Sequence, residues 1–260
     1  LAAGDLTAPR VVLVHGWPTN ALLWRKIIPG LAGRFRVLAP DLPGHGLSAK
    51  PADAPYNLDF FHQFLREFFQ AMGLDRAHLV AHDLGGIAGL GLAVRNPGLI
   101  KKFVVMNTGP YKELPPLVSF FLAALRQPFL TGFFLRPPIF RLLMKQGIHH
   151  RERVTASLAS LYLRPFAKTP GGRKAFSNTI AIPPENMVES PEKLRQITMP
   201  TLILWGTKDG FFKFAVARRL HKDIRGSWLT AVPHAGHFLQ EDQPEQVLAA
   251  LNRFLRSRRE

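Results

Sequence analysis

Short runs of Val, Leu and Ile recur along the chain: VVLV at 11–14, RVLA at 36–39, HLVA at 78–81, FVVM at 103–106, TLIL at 201–204 and WLTAV at 228–232. Runs this short and this uniformly apolar predict strands covered on both faces. Helical patterns such as 58–72 and 87–95 lie between most of them. The predicted class is therefore α/β, a mostly parallel central sheet flanked by helices. In such sheets ligands bind beyond the carboxyl ends of the strands, where this chain's polar motifs fall.

The strand–helix rhythm stops after MNTGPY at 106–111 and resumes near MPTLILWG at 199–206. The segment between, 111–185, is rich in Phe, Leu and Pro, shows no clear strand, and carries eleven Lys and Arg against three Glu. It is expected to be a helical cap inserted over the strand ends, with 1–110 and 186–260 forming the core domain. No internal repeat or low-complexity tract is evident.

Composition narrows the class little further. Of 260 residues 47% are hydrophobic and 20% charged, ordinary values for a globular protein, and the absence of cysteine excludes disulfides and thiolate chemistry. A formal net charge of +16 would ordinarily suggest nucleic acid or an anionic membrane as partner. The basic residues are spread along the chain, apart from a cluster in RFLRSRRE, and no nucleic-acid motif accompanies them. No nucleic-acid partner is expected, whereas a basic, Phe-rich cap also has the composition of a surface that docks on anionic lipid. The opening LAAGDLTAPR lacks the apolar core of a signal peptide, so a cytoplasmic location is expected, with secretion the alternative. From Leu114 to Met144 the chain is apolar but broken by prolines and arginines, too interrupted for the roughly 20 residues of a membrane span.

Four motifs fall at strand ends. HGWPTN (15–20) follows the first run, and its glycine-containing loop presents backbone amides to an anion. LVAHDLGGIAGLG (79–91) runs from strand into helix with Asp83 at the corner. WGTKDGFF (205–212) sets Asp209 just past a strand, and PHAGHFLQED (233–242) sets His237 in the loop after the last one. Plain structural roles compete with chemistry at each place. Asp83 could be a helix N-cap, Asp209 a turn residue, and His234 a rival to His237, while His15 and His82 suit structural hydrogen bonds.

These motifs resemble the α/β-hydrolases, specifically the branch with an aspartate nucleophile that holds haloalkane dehalogenases and epoxide hydrolases. The likeness spans nearly the whole chain and rests on HGWPTNALLWRKIIP, APDLPGHGLSAKP, AHDLGG, MNT, LYLRPF and AGHFLQED. It implies that Asp83 is the nucleophile, Asp209 the acid and His237 the base, in the chain order usual for this fold. Asn107 stands where a related subgroup keeps an alternative acid. Ala81 replaces the first glycine of the nucleophile corner, while Gly85 and Gly86 are retained. Only ten residues precede VVLV, so the family's opening antiparallel hairpin should be absent or shortened.

A carboxylate at the corner changes the substrate. Attack on an acyl carbon would give a reactive anhydride; attack on a tetrahedral carbon with a leaving group gives an ordinary ester on Asp83. His237, oriented by Asp209, then activates the water that hydrolyses it. The backbone N–H groups of Leu84 and Trp17 are expected to hold the oxyanion. The implied activity is a cofactor-independent hydrolase, without a metal, acting on a small apolar substrate with water.

The leaving group divides the family. The resemblance places a halide-binding Trp after the nucleophile, but this chain has Leu84 there and no Trp in the cap, leaving the Trp17 indole as the candidate halide donor. An epoxide needs a proton, normally from two cap tyrosines. Tyr111 and Tyr162 lie in or beside the cap, with Tyr162 the candidate donor and His149 or His150 as substitutes. A haloalkane dehalogenase-like hydrolase is the first reading, an epoxide hydrolase the second, and a non-catalytic ligand-binding protein the third. An acyl hydrolase would need a serine at the corner, and neither Ser48 nor Ser119 is in such a setting.

Overall fold

The computed structural model describes residues 1–113, 116–125, 127–179 and 189–257. Its strands are β1 (Ala2–Ala3), β2 (Arg10–Val14), β3 (Arg36–Leu38), β4 (Ala77–His82), β5 (Ile100–Met106), β6 (Thr201–Gly206) and β7 (Trp228–Val232). They form one sheet in the order β1-β3-β2-β4-β5-β6-β7. Every pairing is parallel except that of β1 with β3. All six apolar runs are strands, and the two-residue β1 is the antiparallel element at this edge.

Alternate side chains of each strand enter opposite layers, and both layers are buried. Val11, Leu13, Val80, Val104 and Leu202 belong to one core; Val12, Val14, Leu79, Val105 and Ile203 belong to the other. Helices α1 (Ile28–Ala32), α2 (Leu58–Ala71) and α3 (Leu84–Arg95) precede β5. The α2 helix opens on Asn57, whose side chain accepts from the Phe60 N–H, and buries Phe61, Leu65 and Phe69 at a four-residue spacing on one face.

Between β5 and β6 lies a helical insertion: α4 (Pro116–Leu125), α5 (Pro128–Phe134), α6 (Pro137–Gly147), α7 (Ala156–Ala167) and α8 (Gly172–Asn178). The expected cap boundary at 185 lies outside the described residues. The chain continues with α9 (Pro191–Leu194), α10 (Phe214–Asp223), α11 (Leu239–Asp242) and α12 (Pro244–Arg256). Among the described residues, no helix is long and apolar enough to cross a membrane.

The helix after the corner begins at Leu84, directly behind Asp83. Gly85 lets it start there against β2, because a Cβ at this position would lie 2.4 Å from the His15 carbonyl oxygen. A glycine that reads as a helix breaker is what lets α3 pack directly against the end of β2. The loops after β2, β4, β5, β6 and β7 therefore meet at one end of the sheet.

Candidate active site

Asp83 occupies the corner between β4 and α3 with φ 54 and ψ −117, a conformation costly for a residue with a Cβ, by about 1–3 kcal/mol. Its neighbours hold it there. The Asp83 N–H donates to the Met106 carbonyl at 3.2 Å, and the Asp83 carbonyl accepts from Ile87 N–H at 3.0 Å and from the Thr108 hydroxyl at 2.7 Å. The side chain makes no N-cap hydrogen bond to α3, which removes the plain structural reading. Instead Oδ1 accepts the backbone N–H of Trp17 at 2.8 Å, and Oδ2 lies 3.4 Å from His237 Nε2. Gly16 permits that approach, since a Cβ at this position would lie 2.3 Å from the Asp83 Cβ.

His237 is buried in the loop after β7, and its Nδ1 lies 3.0 Å from Asp209 Oδ2. Asp209 also makes the turn expected of it, its Oδ1 accepting the N–H groups of Phe211 at 2.7 Å and Phe212 at 3.0 Å. Asn107, at φ 32 just past β5, donates through Nδ2 to Asp209 Oδ2 at 2.7 Å and accepts the Gly206 N–H at 3.0 Å. It braces the acid rather than replacing it. His82 Nε2 meets the His237 carbonyl oxygen at 2.9 Å, and His15 Nε2 accepts the Leu42 N–H at 3.0 Å, so both act as struts. His234 is exposed in its loop at φ 54.

Two carboxylates thus flank one imidazole. Burial pulls the His237 pKa down, but the charge of Asp209, its hydrogen bond and Asp83 outweigh this and hold it up at about 10. Burial pushes Asp83 up, and the His237 hydrogen bond and charge, with smaller help from His82 and the Leu84 N–H, bring it below 3.8. The resting pair is therefore carboxylate and imidazolium. The α3 macrodipole favours the same charge on Asp83.

Three other buried histidines behave oppositely. Burial holds His45 and His82 at about 3 and His78 at about 4, all below the ordinary 6.5. The unfolded chain takes up protons at these positions near pH 6.5 while the fold excludes them, so the stability linked to these three is full above that pH and drains away below it, whereas that linked to His237 is full below pH 6.5 and is lost as pH rises toward 10. A thermal midpoint that falls from pH 6.5 toward pH 4, with a shallower slope in His78→Gln, is the expected result; a flat profile would contradict it.

A cavity of about 70 Å³ opens beside the Asp83 carboxylate and His237. Its wall is apolar: Val118 and Leu122 from α4, Leu143 and Met144 from α6, and Phe211 and Phe238 from the loops. Two expectations about leaving-group donors need correction. The Trp17 indole N–H donates to the Phe176 carbonyl at 3.1 Å and is not free to hold a halide. Tyr162 is fully buried, its hydroxyl donating to Glu241 and accepting from Arg25, so it is not aimed at the cavity. Tyr111 likewise donates to Asp223 at 2.6 Å. His149 is exposed, His150 faces Glu152 at 3.4 Å, and neither lines the cavity.

Two acids of HFLQED had been assigned no role. Glu241 gathers Arg25, Lys26 and Tyr162. Asp242, fully buried, accepts the N–H of Gly236 at 2.7 Å and of His149 at 2.9 Å on Oδ2, and the N–H of His150 at 2.9 Å on Oδ1. One carboxylate thereby joins the loop carrying His237 to the chain leaving α6. Among the described residues, no group of three or more His, Asp or Glu side chains is placed to hold a metal ion.

Residues 9–244 match the family model described as the alpha/beta hydrolase fold. The chain belongs to the α/β-hydrolase family. This α/β hydrolase is 30% identical over 256 residues to haloalkane dehalogenase 2 of Mycobacterium tuberculosis, covering 94% of this chain and 87% of that one. It is 28% identical over 275 residues to epoxide hydrolase 3 of Xenopus tropicalis, covering 98% and 74%. Among solved structures, the meta-cleavage product hydrolase from Pseudomonas fluorescens superposes with a TM-score of 0.86 at 23% identity, over 98% of this chain and 92% of that one, a likeness of fold.

Proposed function

We propose that this α/β hydrolase forms an alkyl ester on Asp83 and hydrolyses it with a water activated by His237, residues 111–185 serving as a cap over a core of 1–110 and 186–260. The observation that carries the reading is the division of labour within one carboxylate. Oδ1 is fixed by the Trp17 N–H at 2.8 Å, Oδ2 lies 3.4 Å from His237 Nε2, and Asp83 and His237 both line the apolar cavity. Oδ2 attacks a tetrahedral carbon, the carbon–leaving-group bond breaks, and the group departs with the electron pair.

Esterification removes the Asp83 charge and hydrogen bond, two of the influences that hold His237 protonated. The imidazolium then releases its proton to solvent, and Nε2 accepts one from the attacking water. The oxyanion that develops on Oδ1 lies where the Trp17 N–H already donates, with the Leu84 N–H beside it. Collapse breaks the bond between the Asp83 carboxyl carbon and Oδ2, the alkoxide takes the proton from His237, and the proton left on the new carboxyl group passes to the imidazole, restoring the carboxylate, with one oxygen from water, beside an imidazolium. Asp209 keeps the imidazole aligned throughout.

A halide is the first reading of the leaving group, supported by the Mycobacterium tuberculosis relative and by its departing without a proton. Among the described residues, no tyrosine lines the cavity to protonate an epoxide oxygen. Epoxide opening is the second reading, supported by the protonated His237 beside Asp83 and by the Xenopus tropicalis relative. Single turnover in water enriched with heavy oxygen tests the common mechanism. A mass increase in the peptide containing Asp83 is the expected result, and label confined to the product alcohol would overturn it. Halide or diol release then distinguishes the two substrates.

A further inference from the structure

We infer that the outer face of α4–α6 docks this protein on an anionic lipid surface, with the cavity opening on its inner face. Residues two apart along α4 point to roughly opposite sides, because two positions along a helix are about 200° apart. Val118 and Leu122 line the cavity, whereas Phe120 between them is 72% exposed. The pattern continues on α5 and α6, where Phe129 is 77% and Leu142 55% exposed, while Leu143 and Met144 turn into the cavity. These helices pack in sequence, α4 on α5 and α5 on α6, so the exposed apolar side chains share one region of the surface. Large apolar side chains gathered at such a surface mark an interaction site.

Charge identifies the occupant. From Pro116 to Thr179 the chain carries ten Lys and Arg and a single acid, Glu152. The Arg136 guanidinium lies over the Phe133 ring, 5.8 Å from its centroid, and Lys145 stands one turn from Leu142. Among the described residues, neither cation takes part in an ion pair. A second copy of the chain would bring the same positive face and be repelled. An anionic bilayer supplies both the opposite charge and an apolar layer for the phenylalanines. With no described helix able to span a membrane, the association is peripheral. This inference does not depend on the nucleophile or the leaving group.

Cosedimentation with vesicles of phosphatidylcholine containing phosphatidylserine, and with phosphatidylcholine alone, tests it. Wild type is expected to favour the anionic vesicles and to release as salt is raised. The variant F120S/F129S/L142S, with its thermal midpoint unchanged because these side chains are exposed, should lose binding by about tenfold or more. The variant R34Q/R76Q/K101Q removes three cations from the open hollow at the other end of the sheet, beyond the amino ends of β4 and β5. At ~0.15 M salt, where screening acts over about 8 Å, it should change binding by less than about threefold. The inference is overturned if wild type ignores anionic vesicles, if F120S/F129S/L142S binds like wild type, or if both variants lose equally. It is also overturned if wild type is a dimer that F120S/F129S/L142S converts to a monomer.

Discussion

Asp83→Ala is expected to lower kcat by about 10⁴-fold or more, because in the proposed mechanism every bond-forming step passes through the deleted carboxylate. The fold should survive. Alanine keeps a Cβ and therefore the same strain at this φ, and the variant gives up only the contacts to the Trp17 N–H and His237. A thermal midpoint equal to or modestly below that of wild type, together with lost turnover, is the expected pair of results. Retained turnover of a halide or epoxide substrate would exclude Asp83 as the nucleophile. Asp83→Ser offers a sharper contrast, since a hydroxyl beside the same imidazole suits acyl rather than alkyl transfer.

His237→Gln separates the two halves of the reaction. The Trp17 N–H still orients Oδ1 and the α3 dipole still favours the anion, so Oδ2 attacks at a rate within about tenfold of wild type. Hydrolysis loses its base and slows by about 10²–10⁴-fold. The expected outcome is a stoichiometric burst of leaving group and an intact-mass increase that peptide mapping places on Asp83. A variant that releases no leaving group at all would instead mean that His237 is needed for the first step, as the epoxide reading requires of a proton donor. Observing that arrest with epoxides but a burst with halides would divide the substrates cleanly.

Much of the sheet could be read from local composition, because strands buried on both faces leave an unbroken apolar run. The two residues of β1 carry no such signal; their strand exists only through its pairing with β3. Asp83, Asp209 and His237 were legible since each stands beside a strand end within a motif, and the fold brings those ends together. The Trp17 indole was misplaced for the reverse reason. Its hydrogen-bond partner, the Phe176 carbonyl, lies in the insertion, 159 residues away, and no local pattern announces it. Tyr162 was likewise drawn away by Glu241, whose burial the string HFLQED does not advertise.

Asp242 links two parts of the molecule whose tasks differ. Because Gly236 and the His149–His150 segment hang from one carboxylate, displacing α6 to admit a bulkier guest would tug on the peptide immediately before His237, the proposed base. Substrate breadth and proton-transfer geometry are therefore mechanically coupled. A variant selected for larger guests would have to loosen this strut or reshape α4 instead.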